Sequence, residues 1–531
     1  MNELPIADRN PPFARDRWRR AAVAVFVLGL GMRLAAEYPV HKYPADGDAL
    51  GTGLCIQSVL HGETPIFQHP GRVGSLECHL GAPLLLLAGA SSRAALAAVP
   101  VLVGTLFLIF YYRWARLVLG RPLAVIALLW LALPGPAVLF WTYMPNSYGT
   151  LLLLCAGILW LGARVRPDDG PGAGLALGIA VGLGLWHSVL TLPCSVPAVA
   201  EAVVRRRPPP RWLAALFAGV AAGAVPLLAF HLRYRLPMFA GNFGAEPITG
   251  GAAFLDNLAY LLRVQLPELV ASTDPEGGII PAGRISIWLR WPVLAIHAAA
   301  LLALVSLPLR RAGRPEGVRV RVLWPVAAGV LLATAAAYTL SSAGSLRGIN
   351  VRYVLPLYLV VPVALALLLA WVGSRKRAAA LVLAAIVLVF NLASYRWPHH
   401  PRRQHLRAQA RSDAALVKEL VGRDVAVLLG SHWTVLPIAF LSGERVMVVP
   451  CEQVIDREVY LRRLGPAPYR WAVAGGWEGA PALAAWLGRM RAPPEIERVG
   501  SYAVGFPARP LRRLEEVRRV LAECPVPAPG P

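Results

Sequence analysis

The chain has 531 residues, 56% of them hydrophobic and only 16% charged, and its mean hydropathy is +0.53. A soluble protein of this length does not carry so much apolar surface, so the composition is that of an integral membrane protein. Lys and Arg outnumber Asp and Glu by 53 to 30, but the arginines form short clusters between apolar runs and no basic stripe interleaved with aromatics, which excludes a nucleic-acid partner.

About eleven apolar runs are long enough to cross ~30 Å of hydrocarbon. They lie near 20–36, 94–112, 122–141, 147–163, 172–188, 190–204, 212–230, 286–308, 322–341, 353–372 and 378–394. The first follows Arg15, Arg17, Arg19 and Arg20 as a signal peptide would, yet no small-x-small cleavage site precedes the next loop, so it reads as a retained anchor. Trp186-His187-Ser188 divides the fifth run from the sixth and fixes the orientation of everything after it.

With residues 1–19 in the cytoplasm, the cytoplasmic loops carry Arg113, Arg116 and Arg121, then Arg164 and Arg166, then Arg205, Arg206, Arg207 and Arg211, then the arginines between 310 and 321, and finally Arg375, Lys376 and Arg377. This pattern obeys the positive-inside rule. The segments left outside are longer and hold most of the carboxylates. The expected fold is therefore an all-α polytopic membrane domain over 20–394, N-in and C-out, with external loops at 37–92 and 231–285.

The tail, 395–531, changes character. Helical periodicity over Ser412 to Val421 and Pro481 to Met490 alternates with β-branched runs at Val425 to Leu429, Val446 to Val449 and Trp471 to Val473. It reads as a small extracytoplasmic α/β domain. Of six cysteines, Cys155 and Cys194 fall in apolar runs and read as packing residues. Cys55 and Cys78 share the first external loop and Cys451 and Cys524 the tail, so either pair is placed to bridge in an oxidising compartment.

Two stretches carry candidate chemistry. In the first loop, Asp46-Gly47-Asp48 sets two carboxylates just beyond the first helix and Glu77 adds a third before the second. A carboxylate beside hydrocarbon is costly unless solvated, paired or functional. A transfer to a hydroxyl or amine needs a base for the acceptor's proton, and Asp48 or Asp46 fits that role. The same residues also suit a plain turn and helix N-cap ahead of Ala49 to Leu60. At the outer end of the tenth run, Arg352-Tyr353 could hold a lipid-linked phosphate bidentately, or act as an interfacial anchor. Trp141 to Tyr148 could line an acceptor cleft or belong to an aromatic belt, while His69, His79 and His187 lack metal-ligand spacing. No Walker A loop, GxGxxG before a helix or GxSxG elbow occurs.

The run Asp46-Gly47-Asp48-Ala49 through Gly53-Leu54, then Leu60 to Phe67, Gly74-Ser75-Leu76-Glu77 and Ala82-Pro83-Leu84, resembles the first-loop pattern of bacterial family 39-like glycosyltransferases of the GT-C superfamily, related to protein mannosyltransferases and aminoarabinose transferases. Tyr148-Gly149-Thr150-Leu151, Gly184-Leu185-Trp186, Gly223 to Leu227 and Arg352-Tyr353-x-x-Pro356 follow in the expected order.

The resemblance implies many membrane helices around an external cleft, a polyprenyl-phosphate sugar donor, and transfer to a glycan, lipid or protein acceptor at the inner membrane of a bacterial cell. It matches Asp48 to the catalytic base and Asp46 to a second acidic position. Glu77, Arg352 and Tyr353 resemble residues near the donor phosphate, and His69 and Tyr148 are candidates for the cleft wall. Relatives often read Asp-Glu where this chain reads Asp48-Ala49, which leaves one carboxylate fewer for a divalent cation, so the metal stays unassigned. The rival readings are a transporter or flippase for lipid-linked sugars, and an inactive relative that binds a partner. No internal repeat and no mid-helix acidic site supports the transporter.

Overall fold

The structure is a computed structural model, and it describes the chain apart from residues 1–11, 43–46, 68–72, 144, 235–250, 273–283, 310–317, 342–350, 395–400, 452–460, 462–463, 465–467, 490–493 and 525–531. It divides into two compact units. The first comprises Met1–Ala36, Pro100–Tyr143 and Ser147–Trp397, and the second Glu37–Val99, Met144–Asn146 and Pro398–Pro531.

The chain is mostly helical, and its helices run α1 (Pro12–Lys42), α2 (Gly47–Leu60), α3 (Leu76–Ala88), α4 (Arg93–Leu119), α5 (Arg121–Ala132), α6 (Pro136–Tyr143), α7 (Tyr148–Arg164), α8 (Pro171–His187), α9 (Leu192–Arg206), α10 (Pro210–Gly223) and α11 (Val225–Tyr234). After these come α12 (Gly251–Tyr260), α13 (Leu266–Ala271), α14 (Arg284–Val305), α15 (Val320–Leu340), a 3₁₀ segment at Val351–Leu359, α16 (Val361–Gly373) and α17 (Arg377–Ser394). Each apolar run of the sequence lies on one of these helices or on a bent pair of them. Among the described residues four helices are long and apolar enough to span a membrane singly, and up to seven spans result if each of three bent pairs counts as one.

Packing in the first unit is closest between α8 and α10, where small residues replace the missing hydrophobic drive between helices in lipid. At four-residue spacing, Gly174 faces Trp212, Gly178 faces Gly219 and Gly182 faces Gly223. A methyl group on Gly178 would sit 2.1 Å from the Leu216 carbonyl oxygen, and one on Gly182 would sit 2.3 Å from that of Val220. These contacts are with backbone, so no rotamer change relieves them.

The bends are equally specific. Helices α5 and α6 meet at 73°, which frees backbone groups that have no water partner at membrane depth. Side chains from distant helices take them up. Asn391 Nδ2 donates to the Leu133 carbonyl at 2.9 Å. The Gly135 N–H donates to the Tyr358 hydroxyl at 3.1 Å, and that hydroxyl donates on to the Trp130 carbonyl at 3.3 Å. Tyr111 ties the other end of the 3₁₀ segment by donating to the Leu359 carbonyl at 3.1 Å.

In the second unit α18 (Pro401–Gly422) precedes β1 (Val427–Gly430), α19 (His432–Ser442), β2 (Met447–Pro450), β3 (Trp471–Gly476), β4 (Pro494–Val499) and β5 (Tyr502–Pro507). The sheet order is β2-β1-β3-β5-β4. β1 is parallel to both β2 and β3, and β5 is antiparallel to β3 and β4. The β-branched runs expected from sequence are the parallel strands, while the β4–β5 hairpin alternates too weakly to be seen there. Both cysteine pairs are bonded, Cys55 to Cys78 and Cys451 to Cys524, each with Cα atoms 5.8 Å apart.

Asp413 of this unit is fully buried. Asp413 on α18 accepts from the Tyr502 hydroxyl at 2.6 Å and from Gln409 Nε2 at 2.9 Å, all through Oδ1. Burial pushes its pKa above the usual aspartate range, although these donors and the charge of Arg93 oppose the shift.

Two outcomes follow from this packing. Gly178→Val should cost about 3 kcal/mol or more by overpacking and remove the monodisperse peak in size-exclusion chromatography. Gly157→Val, where a side chain meets nothing within 4 Å, should leave that peak intact. For Asp413, the folded state holds its proton to a higher pH than the unfolded chain, whose aspartates titrate near ~3.9. Its contribution to stability is therefore complete at low pH and declines as pH rises through the folded value. Thermal melts of Asp413→Asn should lose this decline with rising pH relative to wild type.

Candidate functional site

The bent helix α6 and the 3₁₀ segment, both fixed by the hydrogen bonds at the α5–α6 break, bring two sequence motifs together. The Arg352 guanidinium carbon lies 5.3 Å from the Trp141 ring centroid and 5.0 Å from that of Tyr353, within cation–π range. Its Nη2 donates to the Tyr353 hydroxyl at 3.3 Å. On its other side Trp141 meets Tyr148 edge-on, with centroids 5.4 Å apart and planes at 74°. Arg352, Tyr353 and Tyr148 are each half-buried. A 3₁₀ run of nine residues is long for that geometry, and here it presents Arg352 and Tyr353 at the mouth of a broken span.

Tyr148 opens α7 after an unusual turn. Ser147 is buried and has φ +73°, in the left-handed region that non-glycine residues rarely adopt. His187, buried at the end of α8, donates from Nε2 to the Ser147 carbonyl at 2.9 Å and holds that conformation. Strain of this kind concentrates at functional sites. His187 lacked metal spacing in the sequence, and its actual partner is this backbone carbonyl 40 residues away.

In the second unit the first-loop residues are set by α2 and α3. Asp48 falls in the first turn of α2, and its side chain lies outside the described residues, as do Asp46 and His69 entirely. Glu77 occupies the first turn of α3 and is buried. Ser75, the residue before α3, makes no side-chain cap but fixes the loop itself. Its N–H donates to the Ile66 carbonyl at 3.1 Å and its hydroxyl donates to the Pro65 carbonyl. The Cys55–Cys78 bridge ties α2 to α3 beside Glu77, and Ile56 packs so close to Gly81 that a methyl there would sit 2.6 Å away. Helix α19 supports α2 from the tail. Phe440 covers Gly53, and Gln57 Nε2 donates to the Ala90 carbonyl at 3.0 Å and to that of Phe440 at 3.5 Å. No group of three or more metal-type donors converges among the described residues.

No protein-family model and no curated protein sequence matches the chain. Solved structures do. ArnT from Cupriavidus metallidurans, bound to undecaprenyl phosphate, is 13% identical with a TM-score of 0.58, covering 93% of this chain and 98% of its own. Its apo form is 14% identical with a TM-score of 0.59 over the same shares. The chain shares the fold of these structures over nearly its whole length. The Archaeoglobus fulgidus oligosaccharyltransferase in complex with Zn and sulfate, 14% identical, shares it at a TM-score of 0.51, covering 88% of this chain and 69% of its own.

Within this fold the sequence motifs Arg352-Tyr353 and Trp141 to Tyr148 form one cluster. Sequence reasoning missed that Trp141 is its centre, and that Ser147 and His187 brace it. The only signal for the brace was two polar residues interrupting apolar runs. Replacing Ser147 by Gly relieves the positive φ and should raise stability by about 1 kcal/mol. His187→Leu should lower the melting temperature, and adding Ser147→Gly should restore much of that loss, as differential scanning fluorimetry can read.

Proposed function

We propose that the chain is a membrane glycosyltransferase that moves a sugar from a polyprenyl-phosphate carrier to an acceptor on the extracytoplasmic face. The observation that carries this reading is the Arg352–Trp141–Tyr353–Tyr148 cluster on a fold shared with a transferase crystallised with undecaprenyl phosphate. A planar guanidinium flanked by aromatic faces suits a phosphate joined to an apolar chain, because its N–H fork matches the phosphate oxygens while the rings adjoin hydrocarbon.

In this mechanism the carrier phosphate is the leaving group and Arg352 stabilises the charge that develops on it, with Tyr353 as a second donor. Asp48 takes the proton from the acceptor nucleophile as that nucleophile attacks the anomeric carbon. In-line displacement inverts the anomeric centre. We assign Asp46 and Glu77 as the further carboxylates of the first loop, and Tyr148 and His69 as candidates for contact with the acceptor. The protein sits in the plasma (inner) membrane with about eleven spans, its N terminus inside and its tail domain outside, where both disulfides are stable.

The three bent helix pairs are the one feature that also suits a transporter of lipid-linked sugars, since broken spans mark substrate sites in such proteins. The two readings separate on whether label leaves the carrier. Purified protein with radiolabelled polyprenyl-phosphate sugars and a membrane extract should yield a new labelled product. Asp48→Asn should lower its rate roughly 10²–10⁴-fold, and Arg352→Ala should chiefly weaken donor use, lowering kcat/KM for the carrier-linked sugar. Tight carrier binding by both wild type and Asp48→Asn, with no label transferred to any acceptor, would instead establish the transporter or binding-protein reading.

A further inference from the structure

A basic cavity lies in the helical unit, among residues with no part in the proposed transfer. It has a volume of about 430 Å³ and is walled by α1, α4 and α7, with Phe26, Tyr112, Arg113, Arg116, Trp160 and Arg164 around it. Arg113 and Arg164 converge on one indole, their guanidinium carbons 5.2 and 4.8 Å from the Trp160 ring centroid. Phe26 packs edge-on against Tyr112, with centroids 5.8 Å apart, and closes the apolar wall.

Among the described residues no carboxylate pairs with Arg113, Arg116 or Arg164. Other cations of the chain are neutralised locally, as Arg290 is by Glu268 and Arg205 by Glu201. Three like charges around one cavity repel unless an anion sits between them. The cavity is large enough for a phosphate headgroup, its donors suit charge-assisted bonds to phosphate oxygens, and its apolar wall suits an acyl chain. Basic pockets between membrane helices bind anionic headgroups in this way.

We propose that this cavity binds a phosphate ester, presented as the headgroup of an anionic phospholipid. The stacked Arg113 and Arg164 are pre-oriented by Trp160, and Arg116 closes the third side. The inference is independent of the transferase reading, since it concerns none of the residues assigned to transfer.

The test uses the full chain in nanodiscs of phosphatidylcholine with or without phosphatidylglycerol, with bound lipid measured by native mass spectrometry. Arg113→Gln/Arg164→Gln should reduce phosphatidylglycerol retention roughly 30-fold. Arg166→Gln/Arg321→Gln removes the same charge outside the cavity and should leave retention unchanged. Arg116→Gln touches no ring and serves as the milder variant, expected to lose roughly fivefold. Inorganic phosphate is the competing probe. If it fails to displace the lipid, the headgroup source stands, and if it displaces the lipid with the same dependence on Arg113 and Arg164, the pocket is a phosphate site with a soluble ligand. Equal retention by the two double variants would overturn the proposal.

Discussion

The candidate donor cluster depends on a broken backbone that is hydrogen-bonded from elsewhere. At the 73° break between α5 and α6, three backbone groups would be orphaned in an apolar interior, at a cost of several kcal/mol each. Asn391 and Tyr358, more than 200 residues away, satisfy them. Because Tyr358 belongs to the 3₁₀ segment that also carries Arg352 and Tyr353, the bond that stabilises the bend also sets the distance from Trp141 to Arg352. The bend and the cluster are one construction.

The same logic explains which glycines matter. Those of α8 and α10 are required because backbone meets backbone, so helix association there rests on van der Waals contact at the shortest range. That close pair holds the end of α8, from which His187 reaches the Ser147 carbonyl. A left-handed residue inside a helical bundle survives only where its surroundings over-determine it. Here they do so through a buried imidazole on one side and the start of α7 on the other.

Much of the fold is legible in the sequence, because membrane helices write themselves as long apolar runs and β-branched clusters mark the parallel strands of the tail. Bends are not legible in this way, since an apolar run looks the same whether straight or broken. Leu133-Pro134-Gly135 hints at one, but Asn391 and Tyr358 as its partners do not follow from any local pattern. The site is half legible. Arg352-Tyr353 and Trp141 to Tyr148 stand out as polar and aromatic residues at run ends, whereas their meeting depends on three-dimensional packing. The β4–β5 hairpin is lost because its charged residues Glu495, Glu497 and Arg498 mask the alternation.

Arg423 and the Arg113–Arg164 pair are held differently, and the difference bears on function. Arg423 is bonded to Glu419 and Glu497, which fixes α18 to β4 and cancels its charge. Exposed pairs of this kind contribute little energy, so its role is geometric. Arg423 also lies over the Phe506 ring, 4.0 Å from its centroid, whereas Arg113 and Arg164 are held against an indole with no carboxylate paired to them among the described residues. A quadrupole attracts a cation without neutralising it, so aromatic support fixes position while preserving the positive potential. Arg352 shares that support from Trp141 and Tyr353. An anion that arrives at Arg113 and Arg164 gains the full charge interaction and, among the described residues, does not have to displace a carboxylate first. Lysine would not substitute for Arg352, because a point charge on a flexible stem neither stacks on two rings nor presents a planar fork.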